Sequence, residues 1–374
     1  MCRCIVIGLA LYQVPASGSV RKEDFQMIMG FSSSAIYNSN VELNQEEVSD
    51  VVFRVEPRVE LLKPKGFVRG RLGIGVAAIR YLDATENNSN NLVFLADLEA
   101  GKVFGEGAPV QLRTEFEQTN DADGLTGEIV RRETYGIGVN GRHRFGFGGG
   151  VFGSYNYRYL KSRTAGFSDV ESRSWQVGGF YQPAADSFAL ELEFEQEQAQ
   201  SKGGESGLEN VTSIVSAGIR GPLVSTLSGS VRGGVQQSES DRAEVDSERA
   251  PFYAIALDWR YSSLLSVNFN GERRFVTDSS NRLRDQTTLS LKLRRELGGP
   301  WLVEMGVRYT ENQFQEVNSP AGKATVRGMF TGVDYALADW GNLRWTFELD
   351  EARSSVETFN YQAYRAGVEL SARF

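Results

Sequence analysis

Side chains that alternate apolar and polar for ten or more residues can bury only one face, and only as an extended strand. This chain repeats that pattern along almost its whole length. Residues 110–119 set Val110, Leu112, Thr114 and Phe116 against Gln111, Arg113, Glu115 and Glu117. Residues 188–195 set Phe188, Leu190, Leu192 and Phe194 against Glu191, Glu193 and Glu195. Leu289, Leu291 and Leu293 oppose Ser290, Lys292 and Arg294, and Trp301, Val303, Met305 and Val307 oppose Glu304 and Arg308. Leu343, Trp345, Phe347 and Leu349 oppose Arg344, Glu348 and Asp350. The i, i+3, i+4, i+7 spacing of an amphipathic helix is almost absent.

The connections have their own rhythm. Short links rich in turn formers fall at 63–66, 105–109, 140–143 (NGRH), 182–186, 221–224 (GPLV), 262–265, 297–300 and 336–342. Longer polar links fall at 38–50, 82–90, 119–128, 160–171, 196–209, 236–249, 276–284, 311–323 and 352–359. The two kinds alternate along the chain, as in successive hairpins. Between them lie about 18 strands, from 27–37 to 360–374, most of 10–13 residues, with no linker between domains.

A soluble sandwich also has one polar and one apolar face. Three features separate it from a membrane barrel. Soluble strands average about 5–6 residues, whereas a tilted membrane strand needs about 9–11. An even strand number with short turns at one end and long loops at the other is the outer-membrane layout. Aromatic residues also gather near strand ends, as at Tyr155, Tyr157 and Tyr159, at Tyr253, Trp259 and Tyr261, at Trp301 and Tyr309, and at Phe359 and Tyr361. Amphipathic rings belong at lipid–water boundaries. Lipid offers the backbone no hydrogen-bond partners, so a sheet within it must close on itself. The fold expected is therefore all-β: one transmembrane antiparallel up-and-down barrel, with short periplasmic turns and longer extracellular loops.

Alternation places a charged face inward. It carries Arg54, Arg58, Arg69, Arg71, Arg113, Glu115, Glu117, Glu191, Glu193, Glu195 and Arg232. It continues with Lys292, Arg294, Glu304, Arg308, Arg344, Glu348, Asp350, Arg365, Glu369 and Arg373. So much charge is incompatible with a dry core and suits a wet lumen. The signs are mixed, which leaves open a wall of ion pairs or a subset that lines a constriction. Most aromatics fall on the outward face; Phe67 and Phe252 are inward exceptions.

Chemistry is poorly provided for. The single histidine, His143, falls in the expected turn NGRH, without a serine–acid set around it. NDADG (120–124) lacks the downstream bidentate glutamate of a calcium loop. GFGGG (146–150) starts a strand rather than a helix and is no phosphate cradle. No enzyme activity, metal or cofactor is expected. A formal charge of -8 and a pI near 5.1 argue against nucleic acid as a partner.

The two ends carry targeting information. Arg3, an apolar run from Ile5 to Tyr12 and then Val14-Pro15-Ala16 read as a secretory signal over 1–18, with the barrel at 19–374. An ordinary N-terminal strand is the alternative. Both cysteines, Cys2 and Cys4, lie in that segment, so the processed chain would hold none. At the other end Tyr364, Ala366, Val368, Leu370, Ala372 and Phe374 alternate with Arg365, Glu369 and Arg373. This last strand should close the barrel against the first. Tyr364, Leu370 and Phe374 resemble the terminal signal read by the barrel-assembly machinery. Outer-membrane lipid is the other expected partner.

Residues 30–62 hold an Asn pair (Asn38 and Asn40), then Ser49-Asp50, then Glu56-Pro57 in the second strand. This opening resembles the β-barrel porin type 2 family, including barrels encoded in exopolysaccharide operons, some associated with exosortase systems. The resemblance implies a role in exporting polysaccharide, with the polymer and periplasmic export components as partners. Two alternatives stand beside it. One is a general diffusion porin, disfavoured by the modest length of its loops. The other is a non-conducting structural or adhesion barrel.

Overall fold

The computed structural model describes residues 25–43, 47–101, 109–122, 129–164, 167–184, 186–202, 209–241, 247–277, 283–314, 322–355 and 360–374. The expected secretory segment, Asp123 and Gly124 of NDADG, Phe359 and the tips of several long loops lie outside these. The strands are β1 (Gln26–Asn38), β2 (Asp50–Lys63), β3 (Val68–Tyr81), β4 (Ser89–Ala100), β5 (Val110–Ala122) and β6 (Ile129–Arg144). Next come β7 (Gly149–Ser162), β8 (Asp169–Tyr181), β9 (Ala189–Lys202), β10 (Glu209–Val224), β11 (Leu227–Ser240) and β12 (Glu248–Arg260). The last are β13 (Leu265–Thr277), β14 (Leu283–Gly298), β15 (Trp301–Phe314), β16 (Lys323–Ala338), β17 (Gly341–Ser354) and β18 (Tyr361–Arg373). Each strand pairs antiparallel with the next, and β18 pairs back to β1, giving one closed 18-stranded sheet without a free edge.

Burial is inverted relative to a soluble protein. On β9, Leu192 is 63% exposed, while its neighbours Glu191 and Glu193 are 5% and 3% exposed. The outward column of β15 runs Trp301, Val303, Met305, Val307 and Tyr309, all on one parity. An apolar outer band bounded by aromatic rings is what a bilayer demands of a barrel. Rings meet at the short-turn rim, where Trp301 lies 4.6 Å from Tyr335 and 6.1 Å from Trp345. They meet again near the long-loop side, where Tyr135 lies 4.9 Å from Phe116 and 6.2 Å from Tyr159.

Closure between β18 and β1 runs from Gly30↔Arg373 to Asn38↔Arg365. It extends one pair further, because Met29 and Phe374 exchange N–H···O bonds of 3.0 and 2.8 Å. The Phe374 ring stacks on Trp340 at 5.9 Å. Phe374→Asp is expected to weaken the closing seam by about 1–2 kcal/mol through lost stacking and a charge at the lipid rim. The amount of heat-modifiable barrel in isolated outer membranes should fall; a normal amount would show that this contact does not matter.

Several expected boundaries shift. β6 runs through Arg144, so NGRH is strand and the turn is 145–148; GFGGG therefore straddles that turn and the start of β7. His143 is thus a strand residue, with its ring 5.1 Å from Phe145. β10 includes Gly221–Val224, and its turn is Ser225-Thr226. The β4–β5 link spans 101–109, so the short-long alternation is not strict. At the other end the strands outrun the alternation: β9 reaches Lys202 and β15 reaches Phe314. The cause is physical. Beyond the bilayer both faces are wet, so polar residues serve on either side while the backbone ladder continues.

Candidate functional site

The inner wall is a lattice of ion pairs, some within one strand and others reaching across to the next strand or beyond it. On β2, Glu56 accepts from Arg54 (2.8 Å) and Arg58 (2.6 Å), and Glu60 lies 3.7 Å from Arg58. Arg69 pairs with Glu99, and Arg113 with Glu115 at 3.4 Å. Glu117 faces Thr134 across the ladder. Glu191 holds Arg142 at 3.4 Å and Arg220 at 2.9 Å, while Glu193 holds Arg232. Glu304 gathers Arg344 (2.9 Å) and Lys292 (3.7 Å), with Arg294 opposite it on β14. Asp350 takes Arg308 at 2.6 Å and Arg365 at 3.1 Å; Glu348 joins both arginines. Arg71, Arg373 and Glu369 line a recess of about 460 Å³ with Arg58 and Glu60. Tyr364, Leu370 and Phe374 take the opposite parity from Arg365, Glu369 and Arg373, facing outward.

Glycine makes this lattice possible. A Cβ at Gly328 would come within 2.4 Å of Asp350 Oδ1 and 2.6 Å of Arg308 Nε. A Cβ at Gly332 would come within 2.9 Å of the Arg344 guanidinium. Long charged side chains lie flat over the neighbouring strand where that strand has none of its own.

Three groups escape the sequence pattern. Arg142, hidden in the supposed turn, stacks 3.8 Å over the ring of Phe180 and 5.9 Å from that of Phe152. Both rings share the inner face with Arg142, unlike the outward placement expected of aromatics; a cation over a ring suits a charged wall. Phe252 is inward, beneath Arg232, while Phe67 sits outside the strands at the rim and is 62% exposed. Tyr361 also turns inward, packed with Ala352, Ala363 and Leu43 rather than in an outer belt. Parity of β13 could have revealed Glu272 and Arg274, which alternate with Gly271, Arg273 and Phe275.

The long-loop side is tied down from within. Asn38 Oδ1 accepts the Asn40 N–H, and Asn40 Nδ2 donates to the Gln362 carbonyl at 3.2 Å. The Asp50 carboxylate accepts the N–H groups of Leu82 (3.0 Å), Asp83 (3.1 Å) and Ala84 (2.8 Å). The Asn pair and Asp50 of the opening stretch therefore serve to fasten two loops.

The long-loop end of β13 parts from β12, while β14 stays paired with β15 as far as Arg284↔Phe314. β12 pairs with β13 only from Arg260↔Ser266 up to Tyr253↔Arg273, although β12 continues to Glu248 and β13 to Thr277. The freed end of β13 turns inward. Phe275 is fully buried with Ala250 and Leu283, and its N–H donates to Gln236 Oε1 on β11 at 2.7 Å. Arg274 reaches β9, donating to Glu195 at 2.8 Å and Glu197 at 3.3 Å. Under it the wall is sealed: Gln236 and Ser238 are 0% exposed and Ile214 2%. Loop length, which argued against an inward segment, is beside the point, because the intruding element is a paired strand end.

A closed antiparallel barrel, apolar outside and charged inside, is an outer-membrane barrel of porin type. The chain belongs to the family described as Putative beta-barrel porin 2, which matches residues 187–374. It is similar in fold to Pseudomonas aeruginosa OpdK, whose crystal structure contains vanillate (TM-score 0.52, 10% identity, 93% of this chain and 99% of that one). It is also similar to P. aeruginosa OccK2 (OpdF) in complex with glucuronate (TM-score 0.51, 12% identity, 94% and 99%). Comparison with curated protein sequences gives no match.

Proposed function

We propose that the protein is a passive outer-membrane channel for small polar solutes. The observation that carries this reading is the charged inner wall, which only water can line, inside an apolar outer band of 18 strands. Fold relatives hold vanillate and glucuronate, small solutes rather than polymers. Polysaccharide export is implied by the resemblance of residues 30–62, and carbohydrate channels often carry an aromatic track along the lumen that stacks sugars. Here the inward rings Phe180 and Phe252 are overlain by Arg142 and Arg232, which favours the small-solute reading. The purified barrel in a planar bilayer should give stepwise conductance, and proteoliposomes should swell in small sugars and amino acids. A closed trace would sink the channel reading. A deletion strain that stops secreting polysaccharide while small-solute uptake is unchanged would favour export.

A further inference from the structure

We infer that the inturned end of the β13–β14 hairpin is the constriction of this channel, and that its charges make it select small cations. The inference rests on the channel reading. It starts from a topological fact: β13 abandons β12 above Arg273 and lies across the inner faces of β12, β11 and β10, reaching β9. A pore is narrowest where an element stands inside its wall, and the side chains on that element meet the permeant at close quarters.

The latch is acidic. Arg274 stands among Glu195 at 2.8 Å, Glu197 at 3.3 Å and Glu272 at 3.7 Å. Arg158 is the other cation that acts on Glu197. Two cations therefore face three carboxylates; Nη2 of Arg274 bonds Glu195 and Glu197, Nη1 lies near Glu272, and the buried Nε has no partner. The surplus is negative, at the place where the field counts most. At other nodes of the wall the balance is reversed and cations outnumber the carboxylate, as at Glu304 between Arg344 and Lys292, or Glu191 between Arg142 and Arg220. Hydrophobic packing of Phe275 against Ala250 holds the element independently of the charges.

The test is bilayer recording in a salt gradient. The wild type should prefer potassium over chloride. Arg274→Ala should raise single-channel conductance by roughly 1.5-fold or more and deepen the cation preference, because three carboxylates lose their counter-charge. Arg274→Lys should stay near wild type, and Glu195→Gln combined with Glu197→Gln should move the reversal potential toward chloride. Placement is tested separately: Ala250→Cys with Phe275→Cys should be joined by a short bis-maleimide cross-linker in isolated outer membranes. Wild-type current with unchanged conductance and selectivity in the Arg274 and glutamate variants would overturn the constriction alone. A wild type that passes no current would overturn the channel reading and this one together. Failure of the cysteine pair to cross-link in a folded barrel would overturn the hairpin's position.

Discussion

Leu192→Arg is expected to destabilise the membrane-inserted barrel by about 2–4 kcal/mol, the cost of placing a cation on the lipid face near mid-bilayer. Leu192 sits on β9 between Gly179 of β8 and Ala217 of β10, with Leu190 and Phe194 on the same outward column. No carboxylate shares that column: the flanking Glu191 and Glu193 point the other way and hold Arg220 and Arg232. The measurement is a urea titration of tryptophan fluorescence in lipid vesicles. The outcome discriminates sharply between environments. If the 63% exposure of Leu192 faced water, an arginine would cost almost nothing. A wild-type transition would therefore disprove the lipid assignment of the whole outward face.

Asp350→Ala is the second large effect, at about 2–3 kcal/mol, below the range for a dry interior because the lumen is wet. Asp350 is 4% exposed, and both its oxygens accept from Nη2 of Arg308 at 2.6 Å. It also accepts Arg365, so its loss leaves two guanidinium groups with Glu348 alone. Asp350→Asn should cost less, since an amide oxygen still accepts. Equal stability of the alanine variant in the same titration would mean that the lattice is ornamental and that the backbone ladder alone holds the wall.

Much of this molecule is legible from period-two patterning. Lipid and water solvate the two faces of a strand so differently that each residue of a membrane strand declares its side, and β9 and β15 can be read letter by letter. The pattern fails where that contrast fails. Above the bilayer β9 continues from Gln196 to Lys202 with polar residues on both sides, so alternation stops while pairing does not. Near the short-turn rim, Arg142 was concealed by turn-like neighbours in NGRH. Phe152 and Phe180 break the rule of apolar outward because a stacked guanidinium makes an inward ring acceptable. The Asn38, Asn40 and Asp50 motif was visible, but its work on residues 82–84 and on Gln362 depends on contacts distant in the chain.

Strand number, the lipid and lumen faces, and the closing partnership of the last strand with the first are properties of the amino-acid order, because they follow from local solvation. Which arginine meets which carboxylate is not, since register and shear set those distances. Nor is the departure of β13 from β12. That depends on Phe275 finding Ala250, Gln236 finding a backbone N–H, and Arg274 spanning to β9, a balance of long-range contacts that no local pattern encodes.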